Sequence, residues 1–121
     1  MDYIFDNDRP IYVQLVEKLR LEIVSNKLKP GERIPSVREL ALTARVNPNT
    51  MQKALVELEE LKLIYTERTN GKFVTEDKEL INKYKDSYAL ELSNKYFSSM
   101  ECIGYSKDET IDYLRNLGGD K

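Results

Sequence analysis

The chain has 121 residues, 40% of them hydrophobic and 33% charged, with a net charge of −2. That length leaves room for one compact domain and a short appendage, and the proportions are those of a globular rather than a disordered protein. With no histidine and a single cysteine, Cys102, the chain can form no internal disulfide, no Cys/His zinc site and no imidazole base, and no apolar run approaches the ~20 residues that span a bilayer.

The opening Met1-Asp2-Tyr3-Ile4-Phe5-Asp6 lacks the basic start and apolar stretch of a secretory signal, so a reducing cytoplasm is the expected compartment. No Gly-rich phosphate loop, serine nucleophile elbow or metalloprotease motif occurs. The adjacent carboxylates Glu59-Glu60 and Asp108-Glu109 fall in helical patterns, where a solvated face or a helix end accounts for them. An enzyme is not expected, and neither are catalytic residues, a metal or a cofactor.

Residues 9–26 predict a first helix. Pro10 suits its first turn, and Tyr12, Leu15, Val16, Leu19 and Ile23 recur as one apolar stripe. Lys29-Pro30-Gly31-Glu32 is a turn, followed by a short extended piece at Arg33-Ile34, because the residue before Pro35 is pushed out of the helical region. Ser36-Val37-Arg38-Glu39 fits a capping box that opens a short second helix, residues 37–43, burying Val37, Leu40 and Ala41. After a turn at residues 43–46, Asn47 is a suitable N-cap with Pro48 at the first helical position, and a third helix runs to about residue 61.

That third helix is divided lengthwise and end to end. Met51, Ala54, Leu55 and Leu58 form an apolar arc, with Asn49, Gln52, Lys53 and Val56 opposite. Amides and hydroxyls crowd its start, and Glu57, Glu59 and Glu60 its end. A helix N-terminus offers free N–H groups and positive dipole to phosphate, so the polarity suits a helix entering a DNA major groove end-on. Residues 27–53 carry six cations against two anions, a net of +4 inside an acidic chain. Local potential on the contacting face, not the total charge, governs binding to a polyanion.

Residues 63–68 and 72–75 then read as two strands joined at Asn70-Gly71, a type I′ hairpin signal, with Arg68 and Lys72 flanking the tip. A hairpin with basic flanks after a helix-turn-helix is a wing. From residue 77 to about 100 a long helix follows, with Ile81, Tyr84, Tyr88, Leu92 and Tyr96 three or four apart. Gly104 breaks it, and Ser106-Lys107-Asp108-Glu109 is a second capping box for a last helix with Ile111, Leu114 and Leu117 inward, ended by Gly118-Gly119. The fold class expected is therefore mainly α with a small β-hairpin. It comprises a winged helix-turn-helix DNA-binding domain over residues 1–76 and a two-helix dimerisation tail over 77–121.

Residues 30–41, Pro-Gly-Glu-Arg-Ile-Pro-Ser-Val-Arg-Glu-Leu-Ala, resemble the hallmark of GntR-type bacterial regulators. Val46-Asn47-Pro48-Asn49-Thr50-Met51-Gln52-Lys53-Ala54 and the wing's Phe73-Val74-Thr75 are similar to the YtrA-like subfamily, whose members carry a short two-helix dimerisation tail. The resemblance implies a homodimer on a double-stranded DNA operator, an inverted repeat, and repression of a promoter. Recognition helices would lie roughly 34 Å apart in successive major grooves. DNA-facing candidates are Ser36, Arg38, Arg45, Asn47, Asn49, Thr50, Gln52, Lys53, Arg68, Gly71 and Lys72. Among them Arg38 matches the family's DNA-contacting arginine, and Asn49 and Gln52 carry amides able to pair with adenine. Dimerisation candidates are Ile81, Tyr84, Tyr88, Leu92, Tyr96, Ile111 and Leu114.

Two departures stand out: Thr69-Asn70-Gly71-Lys72 replaces the usual Gly-x-Gly-Thr wing tip, leaving a minor-groove contact open, and Arg45 stands where glycine is common. The resemblance also leaves room for a small-molecule effector, expected between subunits or between tail and DNA-binding domain, because two helices alone are too little to enclose a cavity of ~300 Å³. A winged-helix protein-interaction module without a specific DNA target is the alternative. Salt dependence separates the two, since only DNA binding must weaken as counterions are recaptured.

Overall fold

The computed structural model describes residues 4–118. In chain order it contains α1 (Ile11–Val24), α2 (Val37–Ala44), α3 (Pro48–Glu60), β1 (Ile64–Glu67), β2 (Gly71–Val74), α4 (Lys78–Cys102) and α5 (Lys107–Gly118). The mainly helical architecture with one hairpin is the one expected. Two compact units divide after Tyr84, within α4.

The core of the first unit lies where the apolar stripe of α1 meets that of α3. Leu15, Val16, Leu19 and Ile23 are buried with Met51, Ala54, Leu55 and Leu58, and Leu40 and Ala41 of α2 join them. Each of the leucine, valine, isoleucine and methionine side chains contributes roughly 1.5–3 kcal/mol on leaving water, which is what holds three short helices together against chain entropy. Val37 is only half-buried.

The first helix starts later than the sequence pattern suggests. Pro10 occupies the cap position with ψ 140°, not the first turn. Gln14 explains this: its buried amide accepts from Asp6 N at 2.7 Å and donates to the carbonyls of Asp6 (3.0 Å) and Arg9 (2.9 Å). The backbone of residues 6–9 is thereby folded onto a side chain rather than into a helical ladder. The same helix ends at Val24, because Lys27 N and Leu28 N both turn back to the carbonyl of Glu22.

The hairpin forms in the antiparallel register Ile64↔Val74 to Glu67↔Gly71. Its loop differs from the expected type I′ turn. The strands end at Glu67 and Gly71, so three residues cross the gap; Asn70 N donates to Glu67 O at 3.2 Å, and Gly71 alone at the tip has positive φ, 99°. Asn-Gly closes a three-residue loop here instead of occupying the centre of a two-residue one. On the other side of β2, Arg33 bridges Phe73, with Ile34 N donating to Lys72 O and Val74 N to Glu32 O, both at 2.9 Å. The short extended piece at residues 33–34 is thus present and paired.

The second unit holds the later part of α4 and all of α5. Gly104, at φ 98°, turns the chain, and Tyr105 N donates back to Met100 O at 3.0 Å. The capping box at Ser106 then opens α5. Thr110 is fully buried, its hydroxyl donating to Ser106 O at 2.8 Å, and Met100 is buried. Ile111, Leu114 and Leu117, expected to face inward, are 37%, 42% and 66% exposed. A helix of twelve residues cannot cover its own apolar stripe without a further layer of structure laid against it. Gly119, the second half of the expected helix stop, lies outside the described residues.

Candidate nucleic-acid interface

The helix-turn-helix is assembled by local hydrogen bonds that the sequence encodes directly. Ser36 Oγ accepts from Glu39 N at 3.1 Å while Ser36 N donates to Glu39 Oε1 at 3.3 Å, so α2 starts at a complete capping box. That start sets Arg38 in the first turn, exposed. The helix ends at Arg45, which is left-handed (φ 58°, ψ 48°), and Val46 N returns to Ala41 O at 3.0 Å. Two residues on, Asn47 caps α3 by accepting from Asn49 N at 2.7 Å, with Pro48 in the first turn.

Burial along α3 follows its sequence pattern. Met51, Ala54, Leu55 and Leu58 are buried, whereas Asn47, Asn49, Gln52 and Lys53 are exposed and Thr50 is half-buried. The helix therefore presents an amide-bearing edge at the end where its N–H groups lack intrahelical partners. Asn49 and Gln52 have the donor–acceptor pair needed to read an adenine edge, and the cap leaves both side-chain amides at the surface.

The cations separate into two groups. Arg33, Arg38, Arg45 and Arg68 are exposed and form no ion pair among the described residues. Lys53 instead lies with its ammonium 3.9 Å from the centre of the Tyr12 ring, linking α3 to α1. Lys72 is paired with Glu59 at 3.2 Å. A guanidinium without a carboxylate partner keeps its full capacity for phosphate.

Gly71 is needed for two reasons: its φ is positive, and a Cβ there would stand 3.3 Å from Arg33 Nε. The loop end of β2 and the start of α2 thus line one cleft of about 440 Å³, formed by Arg33, Ser36, Val37, Glu39, Gly71 and Lys72 among others. Of the expected residues it brings Ser36, Gly71 and Lys72 together. Arg33 was not among the expected residues. Its signal was available, because an extended Arg33-Ile34 pair must put the two side chains on opposite faces, and Ile34 is the apolar one.

The expected dimerisation residues fall in different settings. Ile81 is buried in the first unit, and half-buried Tyr84 has the Arg20 guanidinium 5.8 Å from its ring centre. Tyr88 is half-buried. Leu92, Tyr96, Ile111 and Leu114 are exposed on the second unit. Among the described residues there is no group of three metal-ligating side chains, and no helix is long and apolar enough to cross a membrane.

A capped two-helix turn whose second helix exposes its amide-rich start, followed by a hairpin, defines a winged helix-turn-helix. Residues 11–74 match the family model of bacterial regulatory proteins, gntR family. The chain is 41% identical to the HTH-type transcriptional repressor YtrA of Bacillus subtilis, over 92% of this chain and 86% of that one. It is also similar to the structure of a GntR family transcriptional regulator from Listeria monocytogenes, with a TM-score of 0.81 and 40% identity, covering 93% and 98% of the two chains. A third likeness, with a TM-score of 0.57 and 28% identity over 62% of this chain and 96% of the other, is to the DNA-binding domain of AraR in complex with operator ORX1. The chain belongs to the GntR family: it is a DNA-binding transcriptional regulator, not an enzyme.

Proposed function

We propose that two copies of this chain bind an inverted-repeat operator and repress the promoter it overlaps. Residues 1–76 act as the DNA-binding domain and 77–121 as the dimerisation tail. The observation that carries the DNA half is the exposed start of α3, where Asn49 and Gln52 stand at the surface beside a cap that leaves further N–H groups for phosphate. Arg38 and Arg45, exposed on α2 and its cap, supply cations to the backbone, and Arg68 supplies one from the wing tip. Phosphate contacts give register and affinity, while the α3 amides choose the sequence.

The dimer half rests on the apolar surface of the second unit. Leu92, Tyr96, Ile111, Leu114 and Leu117 are exposed there, while among the described residues Met100 and Thr110 are those it buries. So much exposed apolar surface on so small a unit calls for a partner, and a second copy gives the two-fold symmetry an inverted repeat requires. YtrA is by name a repressor, which supports the same sign of regulation here. A protein that holds chromosomal operators works in the cytoplasm.

Selection of bound fragments from random duplex DNA tests the proposal. It should return two half-sites related by inversion, with centres one helical turn apart or a multiple of it. On the selected site, Gln52→Ala should cost about tenfold or more and relax preference at one base position, consistent with ~1–3 kcal/mol for a bidentate base contact. Arg38→Ala should weaken binding and make its salt dependence shallower by about one unit on a log–log plot. Recovery of no common sequence, or unchanged affinity in both variants, rejects the assignment.

A further inference from the structure

One side-chain network joins the recognition helix to both strands of the wing. Residues two apart on a strand share a face. Ile64 and Val74 are buried, so Thr66 and Lys72, which are partners in the strand register, lie on the inner face with them. Tyr65 and Phe73 stack on the outer face, ring centres 5.7 Å apart. Glu59, in the last turn of α3, meets the inner rung. Lys72 Nζ donates to Glu59 Oε1 at 3.2 Å and to Thr66 Oγ1 at 2.9 Å, and the Thr66 hydroxyl donates to Glu59 Oε2 at 3.0 Å. The three groups close a triangle in which each bonds both of the others.

Burial decides how that triangle differs from an ordinary surface pair. The Lys72 side chain is 20% exposed and that of Glu59 38%, so solvent screens the pair less than it does fully exposed charges. An ammonium shared between a carboxylate and a hydroxyl can release a DNA counterion only by breaking the triangle. The wing is also unevenly held. On one side β2 is paired with residues 33–34 through the backbone, whereas β1 is an edge strand. The triangle ties the outer half of that edge strand to α3.

Resting on the DNA-binding reading above, we infer that Glu59, Thr66 and Lys72 form a latch that sets the wing's angle against the recognition helix, with Lys72 a positioning residue rather than a phosphate contact. Operator titrations of the full chain across several salt concentrations, with Lys72→Gln, Glu59→Gln and the double variant, test it. Each single variant should lower operator affinity by a similar factor, about three- to tenfold, and the double should lose no more than either alone, as expected of coupled partners. The salt slope should stay that of the parent, because no phosphate contact has gone.

A Lys72→Gln slope shallower by about one unit, with Glu59→Gln binding as well as the parent or better, overturns the latch and makes Lys72 a phosphate contact. Unchanged affinity in both singles overturns it too. Thr66→Val, which removes only the hydroxyl, repeats the test if Glu59→Gln loses its fold. Amide hydrogen exchange of residues 64–74 without DNA keeps the two readings apart. Faster exchange in Glu59→Gln supports the latch even if the chain binds no duplex, and exchange at the parent rate refutes it.

Discussion

Arg45 is left-handed, φ 58° and ψ 48°, at the helix end where glycine would be relaxed. A residue with a Cβ is strained there by about 1 kcal/mol or more. Its guanidinium makes no ion pair among the described residues, so no charge contact of that side chain there offsets the strain. Arg45→Gly should therefore raise stability to urea by about 0.5–1 kcal/mol, glycine's larger unfolded-state entropy taking back part of the gain. The same substitution should weaken operator binding and make its salt dependence shallower, because a cation next to the α3 cap is lost. Opposite signs in the two measurements are what a residue kept for binding predicts. A stability loss would show that Arg45 contributes to packing instead. Lys53 teaches the converse lesson at the same scale: spacing placed it on the outer face of α3, but the nearby Tyr12 ring gives its ammonium an intramolecular partner.

At the scale of elements, the caps were the most legible features. Ser36/Glu39, Asn47/Pro48 and Ser106/Glu109 all lie where the sequence places them, because a cap depends on residues within one turn of one another. The Ser106 cap has a measurable consequence. Hydrogen bonds from the Ser106 backbone, then its side chain, hold the Glu109 carboxyl below its ordinary value of 4.5. The folded pKa is thus depressed, so the cap's contribution is present above the ordinary carboxyl value and is lost as pH falls through the folded one. Protection of the α5 amides, their exchange rate relative to the intrinsic rate at each pH, should fall across that acidic window in the parent. In Glu109→Gln that protection should be lower at neutral pH and unchanged across the acidic window; identical protection profiles would refute this. The hairpin was half legible. Strand positions followed from residue type, but the loop type depends on where pairing stops, at Glu67 and Gly71, and that is decided by the buried Ile64–Val74 end. The expected basic flank of the wing changes meaning for the same reason, since alternation turns Lys72 inward to Glu59.

At the scale of the whole molecule, the governing fact is the uncovered apolar surface of the second unit. Leu114→Glu places a charge on the α5 stripe of Ile111, Leu114 and Leu117, all exposed in a single chain. Sedimentation should show the parent as a dimer and the variant shifted towards monomer. Its affinity for a full inverted repeat should then fall about 100-fold or more while that for a half-site stays unchanged, since linked sites gain roughly 10²–10⁴ in avidity. A parent that sediments as a monomer at operator-binding concentrations would remove the dimer from the proposal.

The sequence alone determined the helices, the capped starts of α2, α3 and α5, the hairpin and the amide-rich edge of α3, because each depends on periodicity or on partners a few residues apart. Only the tertiary structure decided which lysines take a partner within the chain, since Tyr12 and Glu59 are remote in sequence from, or on different elements to, the lysines they hold. It also decided that Ile111, Leu114 and Leu117 stand exposed in one chain. An apolar stripe specifies that a face must be covered, but whether the cover comes from the same chain depends on how many layers that chain can build.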